Sequence, residues 1–182
     1  MKSEKKNLFL KYLFLFLLFS FIGRIYEFDL IISSGSLNYV SFFPTAIYTL
    51  IFALPYGVAG LLLYFTIKLL SKNKFTSSFI FRTLACVVII NLLELAIGLF
   101  VLNIFGIMPW NYSHHVLNYK GLISLPITIR WTIFSVLFNL FAYKNVKSFI
   151  ENPLSKKIKI MTIIVSIVYV VYLVAMLFTK QL

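Results

Sequence analysis

Acidic residues are almost missing from this chain: 5 Asp and Glu stand against 17 Lys and Arg in 182 residues. A basic surplus can mark a nucleic-acid binder. Here the bases are scattered between apolar runs, so no nucleic acid is expected as a partner and membrane orientation explains them better. Charge of either sign is scarce, at 12% of residues, while 61% are hydrophobic. A soluble domain carries about a quarter charged residues, so a soluble chain is excluded and a lipid bilayer is the expected surrounding. Cysteine occurs once, at Cys86 inside an apolar run. That excludes an intrachain disulfide and leaves a small packing residue. The phosphate-binding pattern G-x-x-x-x-G-K-[ST] is absent, so ATP is not hydrolysed here by that route. H-E-x-x-H and G-x-S-x-G are absent too. Neither an internal repeat nor a soluble domain is visible, and no cofactor or resident metal is expected.

What remains is a series of long apolar runs. A helix needs about 20 apolar residues to cross a bilayer. Five stretches qualify, at about 8–26, 41–70, 80–105, 122–143 and 158–178, so the expected fold is all-α: a polytopic transmembrane helical bundle forming one domain over 1–182. The second stretch holds Pro44 and Pro55; Pro55 is expected to kink it, and a re-entrant segment at 41–55 is the alternative. Ala53, Gly57 and Gly60 give this stretch a small-residue face suited to close helix packing. The first run follows MKSEKK like a secretory signal, but it is long and lacks an A-x-A-like cleavage site, so it reads as a retained helix. Lys2, Lys5, Lys6 and Lys11 flank the start; Lys68, Lys72, Lys74 and Arg82 surround the second connection; Lys144, Lys147, Lys156, Lys157 and Lys159 surround the fourth. The positive-inside rule then places the N-terminus in the cytoplasm and the C-terminus outside, in a multi-pass protein of the cell membrane. Basic cytoplasmic loops also suit anionic lipid headgroups.

Polar groups collect at the opposite side. Arg24, Glu27 and Asp29 end the first span. Glu94 lies about 14 residues into the third span, or roughly 21 Å, in the outer half of the hydrocarbon. Asn91 sits one turn below it and Gly98 one turn above. Arg130 falls about 12 Å into the fourth span, again in the outer half. Between these two spans runs MPWNYSHHVLNYKG, residues 108–121, with two histidines, two asparagines, two tyrosines, a serine and a tryptophan. Charge inside a bilayer is costly and usually faces the bundle interior or a wet cavity. Glu94 and Arg130 are therefore expected to be neighbours, either as a buried ion pair locking two spans or as part of a ligand pocket open to the outer face. His114 and His115 carry the chemistry of metal binding or proton transfer. They are adjacent rather than one turn apart, and no second His or Cys cluster accompanies them. With Trp110 and Tyr112 they read more simply as interfacial anchors, and Asn111 and Ser113 suit turns and helix caps.

FSFIGRIYE (Phe19–Glu27), PTAIY (Pro44–Tyr48), NLLELAIG (Asn91–Gly98) and PWNYSHHVLNYKGLISLPITIRW (Pro109–Trp131) together resemble the permease family described as Putative ABC-transporter type IV. The likeness covers about residues 16–140 and lies chiefly in a W-[DN]-Y-S-x-x-x-x-N-x-x-G-x-I stretch leading into the fourth span. It implies functional importance for Glu27, Glu94, Trp110, Asn111, Tyr112, Ser113, Asn118, Gly121 and Trp131. Arg24, Asn111 and Arg130 depart from the usual family residues, which are an aromatic, Asp and an apolar residue. With His114 and Arg130 added by depth, the expected substrate-binding set is Glu27, Glu94, Trp110, Asn111, Tyr112, Ser113, His114, Asn118 and Arg130.

The leading functional reading is a permease subunit that binds or moves a small solute or lipid through an outer-facing polar site. It would sit in the lipid bilayer with a separate ATPase subunit, and as a homodimer it would offer that ATPase more surface. A second reading is an intramembrane enzyme acting on a lipid or envelope substrate, with Glu94 and His114 or His115 as acid and base; no complete catalytic set is visible, so a non-enzyme is favoured. A third is a membrane scaffold or regulator that transports nothing.

Overall fold

The computed structural model describes residues 2–33, 42–106, 108 and 110–178; the side chains of 2, 3, 24, 26–33, 42–54, 172, 173 and 175–178 fall outside that description. Six α-helices are present among the described residues: α1 (Lys2–Ser33), α2 (Phe42–Leu70), α3 (Phe79–Phe105), α4 (Leu125–Leu137), α5 (Tyr143–Glu151) and α6 (Lys156–Phe178). A π-helical segment, Phe138–Ala142, joins α4 to α5, so that 125–151 forms one rod of 27 residues. A two-residue strand pair, β1 (Asn118–Tyr119) and β2 (Ile123–Ser124), precedes α4. This is an all-α, membrane-type protein. Among the described residues three helical stretches are long and apolar enough to cross a bilayer: Glu4–Gly23, Phe79–Phe105 and Leu125–Glu151; Pro55–Leu70, the part of α2 whose side chains are described, is apolar but shorter.

The boundaries differ from expectation in instructive ways. The fourth helix begins at Leu125, not 122, because Ile123 and Ser124 are drawn into the strand pair, and it continues past 143 to Glu151. α2 runs as one helix through Pro55; Ser41, at the start of the re-entrant alternative, lies outside the described residues.

The chain packs as two compact units, Met1–Leu61 with Ser148–Leu182, and Leu62–Lys147. In the first, α1 packs close to α2 because Gly57 and Gly60 have no side chain to hold it off: a Cβ at Gly57 would strike Ser20 and Phe16, and one at Gly60 would strike Phe19. The two glycines of the expected small-residue face therefore do pack against a helix; the Ala53 side chain lies outside the described residues. At the other end of α1, buried Lys11 donates from Nζ to the Ile150 carbonyl at 2.6 Å. That carbonyl belongs to the last turn of α5, where a cation also meets the negative end of the helix dipole. The rings of Phe14 and Phe149 pack beside this contact with centroids 5.2 Å apart.

In the second unit, Ser78 caps α3 by accepting from the Phe81 amide, and Gly106 ends it at φ 67° with its N–H on the Leu102 carbonyl. The buried face of α3 is Thr83, Cys86, Ile90, Glu94 and Gly98, whereas Leu84, Val88, Leu92, Phe100 and Ile104 are exposed. Small and polar residues inside with large apolar residues outside is the pattern of a helix whose solvent is lipid. Asn139 bonds near the start of α3, at Thr83, while Trp131 bonds further along, at Glu94. The α3 and α4 rods are therefore antiparallel neighbours.

Candidate functional site

The polar loop between α3 and α4 is bonded largely to itself. Its turn, Tyr119–Leu122, closes through the Leu122 amide on the Tyr119 carbonyl at 3.0 Å. Both central residues have positive φ, 52° at Lys120 and 67° at Gly121, the combination that matches the twist of paired strands. Asn111 Oδ1 accepts from the Ser113 amide at 2.9 Å, an Asx turn. Asn118 uses its whole amide: Nδ2 donates to the Ser113 and His115 carbonyls, and Oδ1 accepts from the Gly121 amide. Trp110 Nε1 donates to the Leu122 carbonyl at 2.8 Å. Leu122 is fully buried, and it and Trp110 rest where a side chain at Gly98 would stand. Gly98 thus seats the loop on α3.

The seated loop lowers Tyr112 onto Glu94. Glu94 is buried, and Tyr112 donates its hydroxyl to Oε1 at 3.2 Å while Trp131 donates Nε1 to Oε2 at 3.0 Å. One turn along α3, Asn91 Oδ1 accepts from the Thr128 hydroxyl at 2.7 Å. The expected Glu94–Arg130 pair is not formed. Trp131 takes the position facing Glu94, and Arg130, about 100° round the helix from it, is exposed. Arg130 instead influences His115. The imidazole of His115 shares a hydrogen bond with Ser124 Oγ at 3.0 Å and lies flat on Tyr112, with centroids 5.5 Å apart and planes at 2°. Burial first, then electrostatic repulsion from the nearby His114 and Arg130, lowers its pKa below the usual imidazole value. His114 is exposed and meets His115 edge-on at 4.3 Å.

The nine candidates therefore divide. Glu94 and Tyr112 bond each other, with His115 and Trp131 completing the group. Trp110, Asn111, Ser113 and Asn118 bond within the loop and shape it. His114 and Arg130 are exposed beside His115. The Glu27 side chain lies outside the described residues. His115 stood outside the nine-residue set and was paired with Glu94 only in the enzyme reading; Ser124 was not expected in the group. The pairing of a histidine with a tyrosine three residues earlier was the available signal, but it could not be separated from interfacial anchoring without the loop path.

The loop carries a direct test. A Cβ at Gly121 would stand 2.9 Å from Asn111 Oδ1 and 3.2 Å from Met108 Cε, whereas at Gly106, also at φ 67°, it would meet nothing within 4 Å. Gly106→Ala should cost only the left-handed backbone penalty, about 1–2 kcal/mol. Gly121→Ala should cost more, read as a lower unfolding midpoint in detergent. Equal losses would mean that the Asn111 turn is not held as described.

The signature stretch is now placed in three dimensions, and residues 14–179 match the family described as Putative ABC-transporter type IV. The chain belongs to that family. No curated protein and no solved structure matches it. For this family member the motif has a physical meaning: its tryptophan, asparagines and glycine fold the loop that brings the tyrosine to the glutamate of α3.

Proposed function

We propose that this protein is the five-span permease subunit of a transporter in the cell membrane, working with a separate ATPase subunit and taking a small solute or lipid headgroup at its outer face. Glu94 is the working group in this reading, reached past Tyr112, with His114 and Arg130 at the entrance and Glu27 as a further candidate. The single observation that supports it most is the state of Glu94. It is the one acid in residues 62–147, it is buried in an apolar helix, and its two bonded partners, Tyr112 and Trp131, are neutral. An ionisable residue held within a membrane span is a functional-site hypothesis by default. Neutral partners leave its charge available to a cationic or hydrogen-bond-donating ligand. Family membership and the lack of a nucleotide-binding loop support the division of labour with an ATPase.

Cysteine labelling in intact cells tests the outer face. In a Cys86→Ala background, Ser113→Cys should react with an impermeant thiol reagent added outside, and Ser155→Cys should not. The reverse pattern overturns the outward orientation. Affinity capture of the full chain from solubilised membranes should also bring down an ATPase subunit; recovery of the chain alone would remove the ATPase-driven reading.

A further inference from the structure

The contact between α3 and the α4 rod is polar well beyond Glu94. From Glu94 towards the start of α3, Asn91 bonds Thr128 across it and Asn139 bonds Thr83; between these, at helical spacing on the α4 rod, come Thr132, whose hydroxyl bonds the Thr128 carbonyl of its own helix, and the buried Ser135. Two oxygens near the far end lack a protein partner: Ser135 Oγ, on a fully buried residue, and Asn139 Oδ1, on a residue 5% exposed. The amide orientation of Asn139 is set by its neighbours. Nδ2 donates to the Phe79 carbonyl, which only accepts, at 3.3 Å, and to Thr83 Oγ1 at 3.0 Å, so the carbonyl oxygen is the atom left over. In hydrocarbon each unsatisfied group costs several kcal/mol. The backbone is altered at the same place: the π-helical segment begins at Phe138, whose N–H is shared between the Phe134 and Ser135 carbonyls, and π segments inside α-helices are frequent at functional sites.

Asn139 Oδ1 needs a donor, and the Ser135 hydroxyl can donate or accept. Water answers both, and buried waters typically make about three such bonds. We propose that the far end of the α3–α4 seam is hydrated: water binds between the two helices at Ser135 Oγ and Asn139 Oδ1. The inference is independent of the reading of Glu94 as the working group.

The chain supplies its own reporter. Cys86 lies on the same buried face of α3 and is the only cysteine, so the infrared S–H band is unambiguous. When vesicles holding the full-length protein are moved into D2O, the Cys86 band should convert to S–D about tenfold faster than that of a Leu84→Cys, Cys86→Ala variant, whose thiol faces outward into lipid. Asn139→Leu and, independently, Ser135→Ala should each slow the Cys86 exchange. A Cys86 thiol that stays unexchanged, or that exchanges at the same rate in both variants and in the lipid-facing control, overturns the hydrated seam. That failure would leave the solute site at Glu94 standing, just as reversed labelling at Ser113 would leave the hydration result standing.

Discussion

Tyr112→Phe and Trp131→Phe are each expected to lower the unfolding free energy by about 1–3 kcal/mol, the cost of stranding one buried hydrogen-bond partner. Tyr112→Phe is the cleaner case, because it removes one hydroxyl and leaves one Glu94 oxygen without its donor. Glu94→Gln should be destabilising for a related reason. Both carboxylate oxygens accept from donors, and an amide offers one oxygen and sets its own N–H groups against the other donor. Combining Glu94→Gln with Tyr112→Phe removes that opposed donor, so the double variant should lose less than the sum of the single losses. Arg130→Gln should stay within about 0.5 kcal/mol of the parent, as exposed substitutions usually do. Chemical unfolding in detergent micelles measures all five variants. A large loss in Arg130→Gln, coupled to that of Glu94→Gln, would restore the ion pair and contradict the arrangement described above.

Gly60→Leu should be at least as damaging. Even the first carbon of a side chain there would enter the Phe19 ring, with Phe19 Cβ 2.9 Å away, and at Gly57 it would come within 2.7 Å of two Phe16 ring carbons. Overfilling a packed contact costs about 1–3 kcal/mol, sometimes more. In lipid no hydrophobic gain offsets the loss, since helix association depends on close van der Waals fit. Val58→Leu, on the exposed side of the same helix, is the control and should be tolerated. Pairing Gly60→Ala with Phe19→Leu should recover part of the loss of Gly60→Ala alone. A Gly60→Leu protein as stable as the control would mean that α1 and α2 do not meet at these glycines.

Hydropathy alone determined that this is an all-α membrane protein, because a run such as 79–105 has no other way to hide its apolar side chains and satisfy its backbone than to form a helix in lipid. The signature PWNYSHHVLNYKG also determined the family, and spacing alone put Glu94 one turn above Asn91. These properties are one-dimensional: they depend on length, composition and depth along an axis. What only the tertiary structure decided is rotation about that axis, which advances about 100° per residue and is set by packing. Depth placed Arg130 and Trp131 side by side; packing turned Trp131 to Glu94 and Arg130 outward. In the same way, the loop reads in sequence as a collection of polar groups. Its self-bonded path, through Asn111, Asn118 and Gly121, exists only once Gly98 lets Leu122 and Trp110 settle on α3. Ser135 and Asn139 were invisible beforehand for the opposite reason: single polar residues in an apolar run show no pattern, and only the buried interface reveals that their oxygens find no partner in the protein.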